Sequence, residues 1–318
     1  MAGPGRRRLR TALTAAAVAL LAALALAWYS PEAVLRAEFA RQRWLAGATV
    51  VQMQAAGHRW AVLEAGQGGA GPTVLLIHGF VGSKENWLPL IRALPEHWHV
   101  LAPDLPGWNE SQRLAGADYG PVAQAERLAA FIRRLPRPPD LVVGHSMGGQ
   151  LGGLLAARHP ELVPRLVLMS SAGVAFEENA FATAVLAGDN PFAVTDRAGL
   201  RRFLALTFAD PPFVPWPLDE ALVRRRRANG DFEQQVLDGI GRGPEALLLQ
   251  SLLPRIRVPV LLLWCDRDRV IDASAAAVFA AGLPEARTLV LPGCGHMPLM
   301  ERPPQVAEAI VGFVASPP

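Results

Sequence analysis

The chain has 318 residues, 51% of them hydrophobic, and its 31 basic and 28 acidic residues give a net charge of +3. Arg6, Arg7, Arg8 and Arg10 supply four of the positive charges, so the rest of the chain has a net charge of −1. This argues against the basic folded face that a nucleic-acid-binding protein needs, and the length suits one large α/β domain or two smaller ones. Lys84 is the single lysine, which we attribute to the base composition of the genome.

An uncharged apolar segment covers residues 11–30, directly after a basic tail at 1–10. Its length of about 20 residues lets a helix cross roughly 30 Å of hydrocarbon, and Trp28 and Tyr29 close it with aromatic side chains typical of a membrane interface. We predict an uncleaved single-pass anchor that holds the domain on the extracytoplasmic side of a bacterial inner membrane. The alternative is a signal peptide cleaved after Ala27, which would leave the domain periplasmic or secreted.

The rest of the chain alternates short apolar runs with helical stretches, after a linker predicted at 31–48. Near-continuous hydrophobicity is typical of parallel strands that are covered on both faces, and the alternation predicts an α/β fold with a mostly parallel, doubly wound, eight-stranded sheet. The predicted strands are an opening hairpin at 49–54 and 59–64, followed by 73–78, 98–103, 140–144, 165–170, 260–264 and 287–291. The predicted helices are 87–94, 121–135, 149–158, 272–281 and 304–314.

One segment interrupts this alternation between the sixth and seventh predicted strands. We interpret residues 173–254 as a helical cap, which divides the core into 49–172 and 255–318. The segment holds seven of the chain's 12 phenylalanines, which fits a lid lined for an acyl chain, although about half of these rings are expected to form the cap's own core. Phe176, Phe181 and Phe213 are the candidates to contact a substrate. The arginine run at 224–227 is expected to be a solvated helix face, with contact to anionic lipid headgroups as the alternative.

The sequence Gly144-His145-Ser146-Met147-Gly148 follows a predicted strand and opens a predicted helix. This is the context of a nucleophile elbow, a sharp turn that exposes a serine hydroxyl at the edge of a sheet. The turn leaves no room for side chains two residues before and two after the serine, and glycine occupies both positions. Ser146 is therefore the candidate nucleophile.

A serine hydroxyl needs a histidine to take its proton and an acid to orient that histidine. On such a fold the chain order is serine, acid, histidine. His159 lies at a helix end, where a capping role is expected, so His296 in the loop after the last strand is the candidate base. Asp268, in the loop after the seventh strand, is the candidate acid, and Asp266 in the same loop is the alternative.

An oxyanion that forms during ester cleavage needs hydrogen-bond donors. The Met147 amide at the start of the helix is one candidate, and the Phe80 amide in the loop after the third strand is the other. Gly79 permits close approach of this loop to a substrate. His78 is expected to orient the loop rather than to take part in chemistry.

These residues resemble the α/β-hydrolase family. The motifs HGF, PDLPG, GHSMGGQ, WCDRDRV and GCGHMPLMERP occur in the family's order over residues 50–315. More narrowly, the chain is similar to membrane-anchored monoacylglycerol lipases and related bacterial lipases. The resemblance implies the same roles for Ser146, Asp268, His296, Phe80 and Met147.

One motif departs from the family pattern. Where the family often has Pro-Gly-Phe-Gly-x-Ser, this chain has Pro-Gly-Trp-Asn-Glu-Ser at 106–111. In such folds this loop lies near the site, which adds Trp108 to the candidate substrate contacts and implies a difference in acyl or alcohol preference.

The expected function is cleavage of lipid carboxylic esters, such as a monoacylglycerol with a medium to long acyl chain, through an acyl-enzyme on Ser146. Two alternatives stay open: a carbon–carbon bond hydrolase of the meta-cleavage type, and a non-catalytic ligand-binding protein. No cofactor, metal, nucleic acid or obligate protein partner is expected. Cys265 and Cys294, the only cysteines, are expected as two buried thiols, with a disulfide between them open if the domain lies outside the cytoplasm.

Overall fold

The computed structural model describes residues 4–316, so the first three residues of the predicted basic tail and the last two of the second core segment lie outside the described part. Eight strands form one sheet in the order β1-β2-β4-β3-β5-β6-β7-β8. Strand β2 is antiparallel to both of its neighbours, and all other neighbouring pairs are parallel. The strands are β1 (Ala48–Ala55), β2 (His58–Ala65), β3 (Thr73–Ile77), β4 (His99–Pro103), β5 (Leu141–His145), β6 (Leu166–Met169), β7 (Val260–Cys265) and β8 (Arg287–Leu291).

Helices cover both faces of the sheet, which confirms the predicted fold class. The helices are α1 (Pro4–Tyr29), α2 (Pro31–Leu45), α3 (Leu88–Ile91), α4 (Pro121–Ile132), α5 (Met147–Arg158), α6 (Ala180–Ala187), α7 (Arg197–Thr207), α8 (Leu218–Arg242), α9 (Leu248–Leu252), α10 (Ser274–Gly282), α11 (Pro298–Glu301) and α12 (Pro303–Ala315). Short 3-10 turns lie at Lys84–Trp87, Pro160–Leu162 and Leu253–Arg255.

The central strands are apolar on both faces because each face packs against helices. Along β3, Leu75 and Ile77 belong to the core formed with α4, α5 and α10. Val74 and Leu76 point the other way, into the core formed with α3 and α12. A continuous apolar run is what this alternation requires when neither face is solvated.

Helix α1 is long and apolar enough to cross a membrane. The candidate span is Arg8–Leu26, with a mean hydropathy of 2.0 and no burial against the rest of the protein. An N-terminal signal sequence passes the same test, so length and composition leave both interpretations of this segment standing.

Residues 31–45 of the segment predicted as a linker form helix α2. Pro31 occupies its first turn together with Glu32, which favours helix initiation at this end. The helix packs against α8, where Glu32 lies 3.8 Å from Arg224. Only Pro31 and Leu35 of α2 are buried, which is why the sequence shows so weak an amphipathic pattern here.

Four helices, α6 to α9, lie between β6 and β7, in the segment interpreted as a cap. The arginine run in α8 is only partly the solvated face that we expected, since Arg224 and Arg227 are exposed whereas Arg225 and Arg226 are partly buried. The Arg226 side chain is only 10% exposed, pairs with Glu233 at 2.9 Å and donates to the Phe192 carbonyl at 2.7 Å. Arg227 donates to the Thr195 carbonyl. These side chains therefore hold the helices of the segment together.

Candidate active site

Ser146 lies on a sharp turn between the end of β5 and the start of α5. Its backbone has φ 56° and ψ −122°, a region that side chains other than glycine rarely adopt. A Cβ added at Gly144 would lie 2.2 Å from the Gly148 carbonyl oxygen, and one added at Gly148 would lie 2.2 Å from the Ile77 carbonyl oxygen. Both glycines are therefore required by backbone contacts, Gly144 across the turn and Gly148 against the end of β3, as the motif predicts.

The His296 ring and the Asp268 carboxylate lie within hydrogen-bond distance. Nδ1 of His296 is 2.8 Å from Oδ2 and 3.0 Å from Oδ1 of Asp268. Oδ1 also accepts from the amides of Val270 at 2.9 Å and Ile271 at 3.0 Å, which fixes the carboxylate in the loop. Because a carboxylate accepts, Nδ1 carries a proton and Nε2 is left free to accept one.

The alternative acid, Asp266, lies elsewhere in the same loop. Its side chain is exposed and accepts from the Gly293 amide at 2.7 Å. This bond joins the loop after β7 to the loop after β8, but the structure places no contact between Asp266 and His296. Of the two candidate acids, only Asp268 lies against the imidazole.

Cys265 and Cys294 form a disulfide, so the expectation of two buried thiols is wrong. Cys265 ends β7 and Cys294 follows the neighbouring strand β8, and their Cα atoms are 5.2 Å apart, within the range that a disulfide spans without distortion. Both are fully buried. The bridge joins the loop that carries Asp268 to the loop that carries His296.

Two backbone amides near Ser146, those of Phe80 and Met147, are the candidate oxyanion donors. A Cβ added at Gly79 would lie 2.8 Å from the Cβ of Ser146, so the loop after β3 rests directly against the serine. Within residues 4–316, neither the Phe80 amide nor the Met147 amide has a hydrogen-bond acceptor. Met147 also begins α5, whose aligned peptide dipoles favour negative charge at this end.

A cavity of about 300 Å³ opens onto Ser146 and His296. Its wall is largely aromatic and aliphatic, with six large aromatic side chains: Phe39, Phe80, Trp108, Phe192, Phe203 and Phe208. Trp108, a predicted substrate contact, therefore lies in the wall of this cavity.

The other three predicted substrate contacts do not line this cavity. Phe181 packs behind the wall, with its ring centroid 4.7 Å from that of Phe192. Phe176 is a half-buried side chain on the edge of the core. Phe213 is 89% exposed, although its neighbours Pro212 and Val214 line the cavity.

Comparisons with known proteins identify the family of the chain. Residues 72–303 match the family described as alpha/beta hydrolase fold. The chain belongs to this family. It is 28% identical to monoacylglycerol lipase ABHD6 of Mus musculus over 94% of this chain and 92% of that protein. It is 28% identical to Lipase 1 of Psychrobacter immobilis, with 77% of each chain covered.

Among solved structures, the chain is similar to a membrane phospholipase A described as a bacterial virulence factor. The two share 35% sequence identity with a TM-score of 0.86, covering 96% of this chain and 98% of the other. These relatives are lipases, and lipases are carboxylic ester hydrolases. We assign the chain to the same enzyme class.

His145 is one site residue of this hydrolase that sequence reasoning missed. Its Nε2 lies 2.7 Å from the His296 carbonyl oxygen, and the two ring centroids are 4.9 Å apart. Burial, followed by the nearby His296, lowers the pKa of His145 to about 3. The ring is therefore neutral near pH 7 and donates Nε2–H to the carbonyl, which fixes the backbone of the candidate base. The position of His145 directly before Ser146 is the feature of the sequence that could have indicated a role in the site.

His78 holds the loop after β3, in line with its expected structural role. Its Nδ1 donates to the Gly79 carbonyl at 2.8 Å, and its Nε2 accepts from the Leu105 amide at 3.0 Å. Burial lowers the pKa of His78, so the neutral ring makes both bonds. This ties the first residues of the loop to the segment that follows β4.

Lys84 is the other residue near the site that sequence reasoning missed. The base composition of the genome does not explain why a lysine stands at this position. Its side chain is fully buried, and Nζ lies 2.7 Å from Asp104, 3.1 Å from Glu85 and 3.1 Å from Glu110. Burial alone would lower the pKa of Lys84, but the carboxylates of Asp104 and Glu85 outweigh it and raise that pKa. The signal was present in the sequence, since this is the only lysine among 31 basic residues.

Helix α2, in the segment predicted as a linker, also contributes side chains to the site. Phe39 lines the cavity, and Arg43 pairs with Glu85 and, at 3.3 Å, with Glu110. Residues 4–316 contain no group of three or more His, Cys, Asp or Glu side chains that could hold a metal ion.

Proposed function

We propose that the protein hydrolyses acyl esters of glycerolipids, with monoacylglycerols of medium to long acyl chain as the substrate class, through an acyl-enzyme on Ser146. One observation carries the proposal. Ser146, on a strained turn, and His296, paired with Asp268, both face a largely apolar cavity. An apolar cavity with a few convergent polar groups fits an ester whose acyl chain is buried.

The chemistry follows from the hydrogen bonds of these residues. Nε2 of His296 takes the proton of the Ser146 hydroxyl as its oxygen attacks the ester carbonyl carbon. Asp268 keeps the imidazole in the required tautomer and stabilises the cation that forms. His296 then gives the proton to the departing glycerol oxygen. A water molecule, deprotonated by His296, then attacks the acyl-enzyme. His296 passes this proton to the Ser146 oxygen as the fatty acid leaves, which restores the free serine.

The negative charge on the carbonyl oxygen needs two donors, and the Phe80 and Met147 amides are proposed for this role. Both lack another acceptor in the part of the chain that the structure describes. One such donor lowers the barrier by about 3–4 kcal/mol. Because the donors are backbone amides on fixed segments, they need no rearrangement as the charge develops.

A second candidate substrate is the acyl ester of a phospholipid. Arg113, Arg225 and Arg226 line the same cavity, whereas Glu233 is the only carboxylate in its lining. This excess of positive charge suits a phosphate headgroup, and the relative with 35% identity is named a membrane phospholipase A. The same charge would also accept the carboxylate of a dienoate, the substrate of the carbon–carbon bond hydrolases.

A turnover panel distinguishes these substrates. The panel contains p-nitrophenyl esters and monoacylglycerols of rising acyl length, a lysophospholipid, a diacyl phospholipid and a meta-cleavage dienoate, with Ser146→Ala as control. Each added CH₂ that becomes buried contributes about 0.8 kcal/mol, so kcat/KM should rise about fourfold per carbon until the cavity is filled.

Several results of this panel would contradict the proposal. Activity that survives in Ser146→Ala would exclude the acyl-enzyme. A preference for short soluble esters would exclude the lipid assignment, and turnover of the dienoate alone would favour carbon–carbon cleavage. Failure of the wild type to react with a fluorophosphonate probe would favour a non-catalytic binding protein.

We further propose that α1 is an uncleaved anchor and that the loop at 209–217 lies at the same membrane surface. The Trp216 and Trp28 ring centroids are 6.2 Å apart, so a bilayer that holds the end of α1 also meets this loop. Phe213 is exposed in the loop, while Pro212 and Val214 line the cavity. The disulfide supports an extracytoplasmic location, where such bonds persist.

Fractionation tests the anchor and its orientation. In cells that express the full chain, the protein should stay in the membrane pellet after an alkaline carbonate wash, with its N terminus intact. Protease added to spheroplasts should digest the hydrolase domain. A mature N terminus just after Ala27 with release into the supernatant would contradict the anchor, and protection from the protease would contradict the orientation.

A further inference from the structure

The loop at 79–83, which carries the Phe80 amide, has an unfavourable backbone conformation. Interactions within the loop are too few to stabilise it. Val81 has φ +50°. This conformation costs a β-branched residue free energy and persists only where the surrounding structure imposes it. The one backbone hydrogen bond within the loop runs from the Gly82 amide to the Gly79 carbonyl, at 3.1 Å. The loop is therefore held from outside.

Lys84 anchors the far end of this loop through one buried carboxylate. Its backbone amide donates to Oδ1 of Asp104 at 2.9 Å, and its Nζ donates to Oδ2 at 2.7 Å. Asp104, which is fully buried, also accepts from Nδ2 of Asn109 at 3.3 Å. The same Nδ2 donates to the Gly82 carbonyl at 2.7 Å. The lysine, the aspartate and the asparagine thus fix the loop against the segment after β4.

The surroundings of this position favour lysine over arginine. The compact ammonium group lies within 3.1 Å of three carboxylates, those of Asp104, Glu85 and Glu110, and donates a hydrogen bond to Asp104. A guanidinium group is larger and planar, so we expect it to disturb this fully buried position. This gives a physical reason for lysine at this one position of a chain whose other cationic side chains are arginine.

Removal of the ammonium would also leave an unbalanced charge. Arg43 contacts Glu85 and Glu110 but not Asp104, so without Lys84 the Asp104 carboxylate would be buried with no cation beside it. An uncompensated buried charge is strongly unfavourable. The loop, which is attached to Asp104, is expected to shift in response.

We propose that Lys84 is a positioning residue for the oxyanion site: with Asp104 it fixes the loop so that the Phe80 amide meets the negative charge that develops on the substrate oxygen. The inference rests on the proposed function, since it takes Phe80 as a donor. It adds that a buried ion pair, outside the residues that touch the substrate, determines how well the oxyanion is stabilised.

The test compares Lys84→Met and Lys84→Arg with the wild type. Arg158→Met is the matched control, because it removes an exposed ion pair with Glu126 at the C-terminal end of α5, the end opposite Ser146. Active sites are counted by burst titration, so that rates refer to folded enzyme only. Measured quantities are kcat and KM for a p-nitrophenyl ester, inhibition by a trifluoromethyl ketone, which binds as a tetrahedral oxyanion, and binding of the fatty acid product.

A positioning role predicts a specific pattern. In both Lys84 variants kcat per titrated site falls about 100-fold, and binding of the trifluoromethyl ketone weakens to a similar degree. KM and fatty acid binding stay within about threefold of the wild type, because the interaction lost is made only in the transition state. The Arg158 variant behaves as the wild type.

A merely structural role would lower the melting temperature and the titratable fraction but leave kcat per titrated site unchanged, which would overturn the inference. If the Lys84 variants do not fold, Asn109→Gly decides, since glycine keeps the positive φ of Asn109. It removes the bonds of this side chain to the Gly82 carbonyl, to Asp104 and to Arg225, and leaves the Lys84–Asp104 pair in place. It should lower kcat and ketone affinity together, and unchanged values would overturn the inference. A wild-type protein that hydrolyses no ester would instead contradict the proposed function.

Discussion

We expect Asp268→Asn to lower kcat about 10,000-fold for any ester that the wild type cleaves. The carboxylate accepts from Nδ1 of His296 with both oxygens and receives two backbone amides on Oδ1. An asparagine would present an NH₂ group to Nδ1 and favour the tautomer whose Nε2 is protonated. That nitrogen could no longer take the proton of the Ser146 hydroxyl, while the folded structure should change little.

Asp266→Asn is the matched control, because it lies in the same loop and carries the same change of charge. It weakens only the exposed bond to the Gly293 amide, so kcat should stay within about threefold of the wild type. Steady-state rates for both variants, corrected by burst titration, separate the two acids. The reverse order, with Asp266→Asn the more damaging variant, would exclude the assignment of Asp268.

The second large effect concerns the disulfide. Replacing both Cys265 and Cys294 with alanine should lower the free energy of unfolding by about 3–4 kcal/mol, from the loss of a cross-link that closes a loop of 29 residues. Activity should fall as well, because the bridge is three residues before Asp268 and two before His296. Without it the two loops are joined by hydrogen bonds such as that from the Gly293 amide to Asp266.

Chemical denaturation with and without a reductant measures this effect. The wild type refolded under reducing conditions should match the double variant in stability, and the oxidised wild type should exceed both. Thiol counting on the unfolded protein gives an independent check, with no free thiol expected before reduction. Two free thiols, or equal stability in all three samples, would show that the bridge does not form in the protein.

The candidate catalytic residues could be predicted because their signals are local. Gly144 is required by a contact within the turn and Gly148 by the neighbouring end of β3, but the motif that they form around Ser146 occupies five consecutive residues. His296 and Asp268 follow from chain order once the strands that precede them are identified. Strand boundaries were also accessible, since strands buried on both faces are continuous apolar runs.

Features that depend on partners far along the chain could not be predicted. Helix α2 buries only two residues, and the helix it packs on, α8, begins at Leu218. The disulfide depends on the register of β7 and β8, which places Cys265 opposite Leu291, and residue spacing alone does not give that register. Phe213 could not be separated from the rings that line the cavity, because which way a ring points depends on the loop that carries it.

The junction between α1 and α2 has a consequence for how the enzyme meets its substrate. Only Ser30 separates the two helices, its amide donates to the Leu26 carbonyl at 2.8 Å, and α2 is fastened to the domain through Glu32 and Arg43. With α1 in a bilayer, there is no tether along which the domain could swing away. The enzyme is then confined to the lipids of its own membrane, so its rate is governed by the mole fraction of substrate in that membrane. Surface-dilution kinetics in reconstituted vesicles, with total lipid and mole fraction varied separately, would measure this confinement directly.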